Sequence, residues 1–212
     1  MLQPGPPKFQ RRKEDRPGEI VAAALAVFSE KGFAAARLDE IARRAGVSKG
    51  ALYLYFETKE ELFHAVVKSA ISPNLATVRE RLENSPGSFG GLLEVFLPTI
   101  AQVMATSGVA PIGKMVIGEG RNFPELARYW HEELVAPMVG LISGLIARAQ
   151  ARGEVRPGDP RTYAVQIMSP FLMAVLWRET FVPVGAEPFD VQTLAAQHLT
   201  VLKAGLLIGE TA

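Results

Sequence analysis

The sequence predicts an all-α protein with a small N-terminal helical unit and a larger C-terminal bundle. Three observations carry that expectation. Apolar residues recur at three- and four-residue spacing along most of the chain, no segment shows the alternation of a strand, and Pro, Gly and Asn cluster at a few separated places. At 212 residues the chain can bury one sizeable core or two small ones. Hydrophobic residues at 48% and charged residues at 21% match a soluble globular chain rather than a disordered one.

Residues 1–17 are rich in Pro, Gly and charge and are expected to form a disordered basic arm. A first helix should begin near Pro17, carry Ile20, Val21, Ala24, Leu25 and Phe28 on one face, and stop at Lys31-Gly32. A second should cover about Leu38 to Ala45 and a third about Ser48 to Leu54. A fourth should start at Thr58, where Thr58-Lys-Glu-Glu61 has the spacing of a capping box, and extend beyond Val67. Loops are expected at Asn84 to Gly87, Asn122 to Pro124, Arg156 to Asp159 and Val182 to Pro188. Asp159 can cap a helix whose first residue is Pro160. The expected units are the arm at 1–17, a compact helical unit at 18–68 and a C-terminal helical unit at 69–212.

The stretch from Leu38 to Phe56 is the most informative. Two short helices joined by a tight turn must cross steeply; Ala42 is small enough for close crossing, and Gly46 can take the positive φ that the turn needs. Leu38, Ile41, Val47, Leu52 and Phe56 would form the apolar knot, with Ser48 capping the second helix. Lys49, Gly50, Ala51, Tyr53 and Leu54 are left pointing outward, suited to a major groove: a cation, two small residues for close approach, and a phenol for a phosphate. Lys59 at the start of the next helix is a further candidate phosphate contact. Net charge supports this weakly: residues 1–70 hold 12 Lys and Arg against 9 Asp and Glu, a balance of +3 in a chain of +1. For Arg11, Arg12, Lys13 and Arg16 a solvated terminus is the preferred reading, and a minor-groove arm the alternative.

With Gly32-Phe33, Ala45-Gly46-Val47-Ser48, Gly50, Leu52-Tyr53, Phe56 and Lys59-Glu60-Glu61-Leu62 in order, residues 18–68 resemble the TetR/AcrR family. The resemblance implies a helix-turn-helix regulator that binds double-stranded palindromic operator DNA as a homodimer. It also implies a small, apolar effector held in a cavity of the C-terminal unit. Two positions depart from the pattern. Ala36-Arg37 stands where members open the second helix with Thr or Ser, so the cap is lost at a cost of about 1 kcal/mol and Arg37 becomes the candidate phosphate contact. Tyr55 stands where many members have His.

The C-terminal unit is less legible. Phe96, Met104, Met115, Trp130, Phe171 and Trp177 fill a core by default, and line an effector cavity on the resemblance; Glu119 and His131 are candidate polar anchors or surface residues. Pro98, Pro137 and Pro170 fall inside helical stretches, freeing the carbonyls of Glu94, Glu133 and Gln166 and bending the helices. Stripes at Val191, Leu194, Ala195, Leu199, Leu202 and Leu206, and at Ala164, Ile167, Phe171 and Val175, suggest a four-helix dimer interface. The intrachain core is the other use for them.

Several classes are excluded or disfavoured. No cysteine is present, which removes disulfides and thiolate chemistry, and the widely spaced His64, His131 and His198 offer no metal set. No cofactor is expected. A helical-bundle enzyme or carrier that keeps the helix-turn-helix by descent is the rival, but no nucleophile motif, phosphate loop or spaced His/Asp/Glu set supports catalysis. The longest apolar stretch, Val95 to Gly113, is interrupted by Pro98, Thr99, Gln102, Thr106, Ser107 and Pro111, so it reads as core and no membrane partner is expected. No targeting segment is visible and a cytoplasmic location is the default.

Overall fold

The structure, a computed structural model, describes residues 16–83 and 87–209. The expected arm, apart from its last two residues, and most of the Asn84 to Gly87 loop lie outside the described residues. Ten α-helices follow one another among the described residues. The N-terminal unit comprises α1 (Arg16–Ala35), α2 (Leu38–Arg44), α3 (Lys49–Tyr53) and the first half of α4 (Lys59–Glu83). Then come α5 (Phe89–Thr106), α6 (Val109–Glu119), α7 (Pro124–Trp130), a π turn (His131–Val135), α8 (Ala136–Ala151), α9 (Pro160–Thr180), a 3-10 turn (Val182–Val184) and α10 (Val191–Leu206).

Helix ends follow their local chemistry. Ser88, Asp159 and Asp190 each accept a backbone N–H of the first turn of α5, α9 and α10. Helix α2 ends in a Schellman turn: Gly46, at φ 66°, donates to the Arg43 carbonyl, and Val47 donates to that of Ala42. Helix α1 does not stop at Gly32 as expected. Gly32 takes φ 78° and ψ 172°, and Phe33 to Ala35 form a further turn in a new direction. No strand occurs among the described residues; a single bridge, Val155 to Leu207, ties the α8–α9 connection to the end of α10.

Two apolar cores result. The first joins Ile20, Val27 and Phe28 of α1, Ile41, Leu52, and Leu62, Phe63, Val66, Val67 and Ile71 of α4 with Ile112, Met115 and Val116 of α6 and Leu126 of α7. The expected boundary at 68/69 therefore falls inside α4 and inside one core. The second joins Val78 with Phe89, Leu93 and Phe96 of α5, Ile142 and Ile146 of α8, Ile167 and Phe171 of α9, and Ala195 and Leu206 of α10. Three segments, Phe89–Thr106, Pro124–Ala151 and Pro160–Val184, are long and apolar enough to cross a membrane, and all three contribute side chains to these cores.

Pro98 and Pro170 lie inside helices, as expected, and so does Pro73 in α4. Pro137 differs. It occupies the first turn of α8, and the preceding π turn carries the ladder across the join, with the Ala136 N–H bonded to the His131 carbonyl.

Candidate nucleic-acid interface and effector cavity

The helix-turn-helix is built around Leu52, which is fully buried, with Ile41 and Ala42 behind it and Leu38, Val47 and Phe56 half-buried at its edge. That leaves Lys49, Gly50, Tyr53, Leu54 and Tyr55 exposed and Ala51 half-buried. Leu54 is 84% exposed, far from any core role. A Cβ at Gly50 would meet nothing within 4 Å, so this glycine is not required by packing inside the chain. Exposed Ser48 caps α3, its Oγ 3.1 Å from the Ala51 nitrogen. Exposed Arg37 sits at the N-cap of α2 with extended backbone and no side-chain cap bond.

Ion pairs fix the unit from outside. Arg44 forks onto Glu30 at 2.7 and 2.6 Å and also reaches Glu40, while Lys31 meets Glu40 at 2.6 Å. These contacts tie α1 to α2 and hold both carboxyls below their ordinary range. Lys49 pairs with Asp39 at 2.8 Å, which raises the pKa of its ammonium. Both side chains are well exposed, so the pair is weak and screened, and a phosphate can displace it.

Lys59 departs from its expected place beside Lys49 and Tyr53. Its Nζ lies 2.7 Å from the Phe33 carbonyl oxygen, 3.3 Å from that of Ala34 and 3.2 Å from that of Ala36, and 4.4 Å from the Phe33 ring centroid. These carbonyls close the C-terminal end of α1, where a cation is favoured. The ammonium thus serves the fold. The capping box is also displaced by one residue: Thr58 Oγ1 accepts from the Glu61 N–H, but the Glu61 carboxylate accepts from Glu57 rather than from Thr58.

A cavity of about 200 Å³ lies between α4, α5, α6, the π turn, α8 and α9. It exceeds the roughly 150 Å³ that accommodates benzene in a dry protein interior. Met104, Trp130 and Phe171 line it, with Ile71, Leu75 and Val78 of α4 and Ala110, Gly113 and Ile117 of α6. Among its lining residues Asn74 carries the one amide and none is charged. The Asn74 amide nitrogen already donates to the Ala70 carbonyl. The α4 residues continue the stripe of Leu62, Phe63, Val66 and Val67; that period was the signal by which the sequence could have placed them.

The other expected cavity residues lie elsewhere. Phe96 is buried in the second core and Met115 in the first, each used as filling. His131 is exposed on the π turn. Trp177 packs at a tilt against Phe181 and Phe189, at 5.1 Å from each, and donates its indole N–H to the Glu187 carbonyl. Glu119 is no cavity anchor; its two oxygens accept the backbone N–H groups of Phe33 at 2.8 Å and Ala34 at 2.7 Å. The two apolar stripes also turn inward. Ala164, Ile167, Phe171, Val175, Ala195 and Leu206 are buried within the chain, and Val191, Leu194, Leu199 and Leu202 are half-buried.

Replacing Lys59 by Met keeps an aliphatic stem over Phe33 but strips three carbonyls of their donor. Urea unfolding should show a loss of about 1–3 kcal/mol, while the salt dependence of DNA binding stays as in the parent chain. An unchanged midpoint together with a shallower salt slope would instead return Lys59 to the DNA surface.

Comparison with known proteins places this architecture. Residues 20–66 match the family described as "Bacterial regulatory proteins, tetR family", and residues 86–190 match "Tetracyclin repressor-like, C-terminal domain". The chain is 41% identical over 73 residues to the HTH-type transcriptional activator FasR of Mycolicibacterium smegmatis, covering 34% of this chain and 33% of that one. It is 27% identical over 154 residues to the HTH-type transcriptional repressor BepR of Brucella suis, covering 70% and 73%. The fold matches that of the transcriptional regulator FadR from Bacillus subtilis in complex with stearoyl-CoA, with TM-score 0.74 and 21% identity, covering 89% and 98%. A helix-turn-helix with its recognition surface free, joined to a matched C-terminal helical domain, makes this chain a member of the TetR family of DNA-binding transcriptional regulators, not an enzyme.

Proposed function

We propose that the chain is a homodimeric repressor that occupies a palindromic operator and leaves it when a small apolar molecule enters the C-terminal cavity. The observation that carries this reading is the cavity: uncharged, bounded by α4 and α6, the two helices that also build the core of the helix-turn-helix. A repressor role is supported by the relation to BepR over most of both chains, whereas the likeness to the activator FasR spans 73 residues, about a third of each chain. On the DNA side, Arg37, Ser48, Lys49, Gly50, Ala51, Tyr53, Leu54 and Tyr55 form the proposed contact surface. Lys49 and Arg37 would take phosphates, Tyr53 and Tyr55 offer hydroxyls, and Leu54 and Ala51 suit thymine methyls. The chain would act in the cytoplasm, where its DNA lies.

A dimer supplies two recognition helices for one palindrome. The proposed interface is again α9 and α10, through exposed apolar residues beside the buried stripes. Val165, Leu172 and Met173 of α9 and Val201 of α10 are exposed, Val201 at 66%, as is Ile208 just beyond α10. A second copy of the same faces would complete a four-helix bundle.

The function is tested by selecting binding duplexes from a random pool with the full chain, then placing the recovered site before a reporter. A palindrome whose occupancy lowers transcription supports repression; raised transcription makes the protein an activator, and no enriched sequence refutes the reading. Lys49→Ala should weaken binding to operator and unrelated duplexes alike and reduce the salt slope by about one unit. Met173→Glu with Val201→Glu should shift the chain from dimer to monomer in sedimentation. A dimer that survives both substitutions places the interface elsewhere.

A further inference from the structure

We propose that Glu119 is a positioning residue for DNA binding: from the helix that walls the cavity, its carboxylate fixes the turn that sets the angle of the helix-turn-helix. The turn is Gly32 to Ala36, which joins α1 to α2. Its peptide groups are held from two sides. Glu119 Oε1 and Oε2 accept the N–H groups of Phe33 and Ala34 at 2.8 and 2.7 Å, and Lys59 takes the carbonyls of Phe33, Ala34 and Ala36. The approach is so close that a Cβ on Gly32 would lie 2.1 Å from Glu119 Oε1, and Gly32 has φ 78°, which other residues rarely adopt. Phe123, in the turn that follows Glu119, adds an edge-on contact to the Phe33 ring at 5.1 Å. Local structure, ring packing and two charge-assisted bonds therefore converge on one turn.

The same helix reaches the cavity. Val109, Ala110, Gly113 and Ile117 of α6 line it, and Glu119 stands two residues beyond Ile117. A hydrogen bond of this length is lost once the groups separate by about 1 Å more, so a small slide of α6 releases both bonds together. Held, the turn keeps α2 and α3 at one angle to α4; released, the two recognition helices of a dimer lose their common spacing. This last step rests on the effector reading above; the positioning role does not.

The two simplest alternatives predict different outcomes. If Glu119 only repelled DNA by its charge, removing it would tighten binding to any duplex. If it only supported folding, removing it would weaken operator and unrelated duplexes in parallel with a loss of helix. The experiment is fluorescence anisotropy with the full-length chain, its selected operator and an unrelated duplex, using Glu119→Ala and the isosteric Glu119→Gln, which keeps one acceptor. The expected result is operator binding weakened about tenfold in the Ala variant, within the usual range of coupling between sites, with the Gln variant between it and the parent. Binding to the unrelated duplex stays equal or becomes tighter. Should the Ala variant fail to fold, the Gln variant alone reads the effect. Operator affinity equal to the parent in both variants, or tighter binding to both duplexes, overturns the proposal. In a second arm 1-decanol is the probe. It should weaken operator binding by the parent chain and leave the Ala variant, already released, unchanged. If 1-decanol has no effect on the parent, the apolar-effector reading fails while the first arm still decides the role of Glu119.

Discussion

The structure depends most on how Phe33 is held. Its ring is fully buried, with centroids 5.6 Å from Phe28, 5.8 Å from Phe63 and 5.1 Å from Phe123. Those partners come from α1, α4 and the α6–α7 turn, and the ammonium of Lys59 covers the face of the same ring. The backbone of the residue is held as firmly as its side chain, the N–H by Glu119 and the carbonyl by Lys59. None of this is possible unless the chain turns sharply just before it, and Gly32 provides the backbone angle for that turn. A single residue thus sets where α1 ends, where α4 begins and how α6 approaches both.

One consequence is that the DNA-binding unit shares its core with the C-terminal unit. Its apolar residues pack in one cluster with Ile112, Met115 and Val116 of α6 and Leu126 of α7. The two cores also share members: Leu75 of α4 and Leu134 of the π turn pack against both. Helix α4, capped by Thr58, starts at Lys59, passes Pro73 and lines the cavity with Ile71, Leu75 and Val78. Side chains in such a core move together, because interiors are close-packed and transmit displacement rather than absorb it. Under the proposed function both sites are walls of one packed body, the Glu119 bonds lie between them, and the size of any coupling is bounded by the difference in ligand affinity between the two arrangements.

What the sequence made legible was what local spacing controls. Ala42, Gly46, Ser48 and Leu52 act within a few residues of one another, and their roles as close-crossing residue, turn, cap and core follow from that spacing alone. The cap at Asp159 was visible for the same reason, and the missing cap at Arg37 through its departure from the family pattern. Contacts between distant segments were not visible. Lys59 lies at a helix start, where an exposed cation beside DNA is a natural expectation, yet it faces the carbonyl end of α1 26 residues earlier. Glu119 meets an N–H 86 residues away. The stripes on α9 and α10 were correctly periodic, but period cannot say whether an apolar face meets its own chain or a partner. Phe96, Met115 and Trp177 failed as cavity residues because size marks a residue as buried without marking which void it borders.

The shared core should make helices α1 to α4 and helix α6 one cooperative unit that does not unfold as separate domains. Native-state hydrogen exchange on the full chain tests it directly, since each amide reports the free energy of the smallest opening that exposes it. Core amides of α1, α4 and α6, those of Val27, Val66 and Val116 among them, should exchange through one common opening, with the same denaturant dependence. It would be contradicted if the α1 and α4 amides opened at a distinctly lower free energy while those of α6 remained protected with α5 and α8.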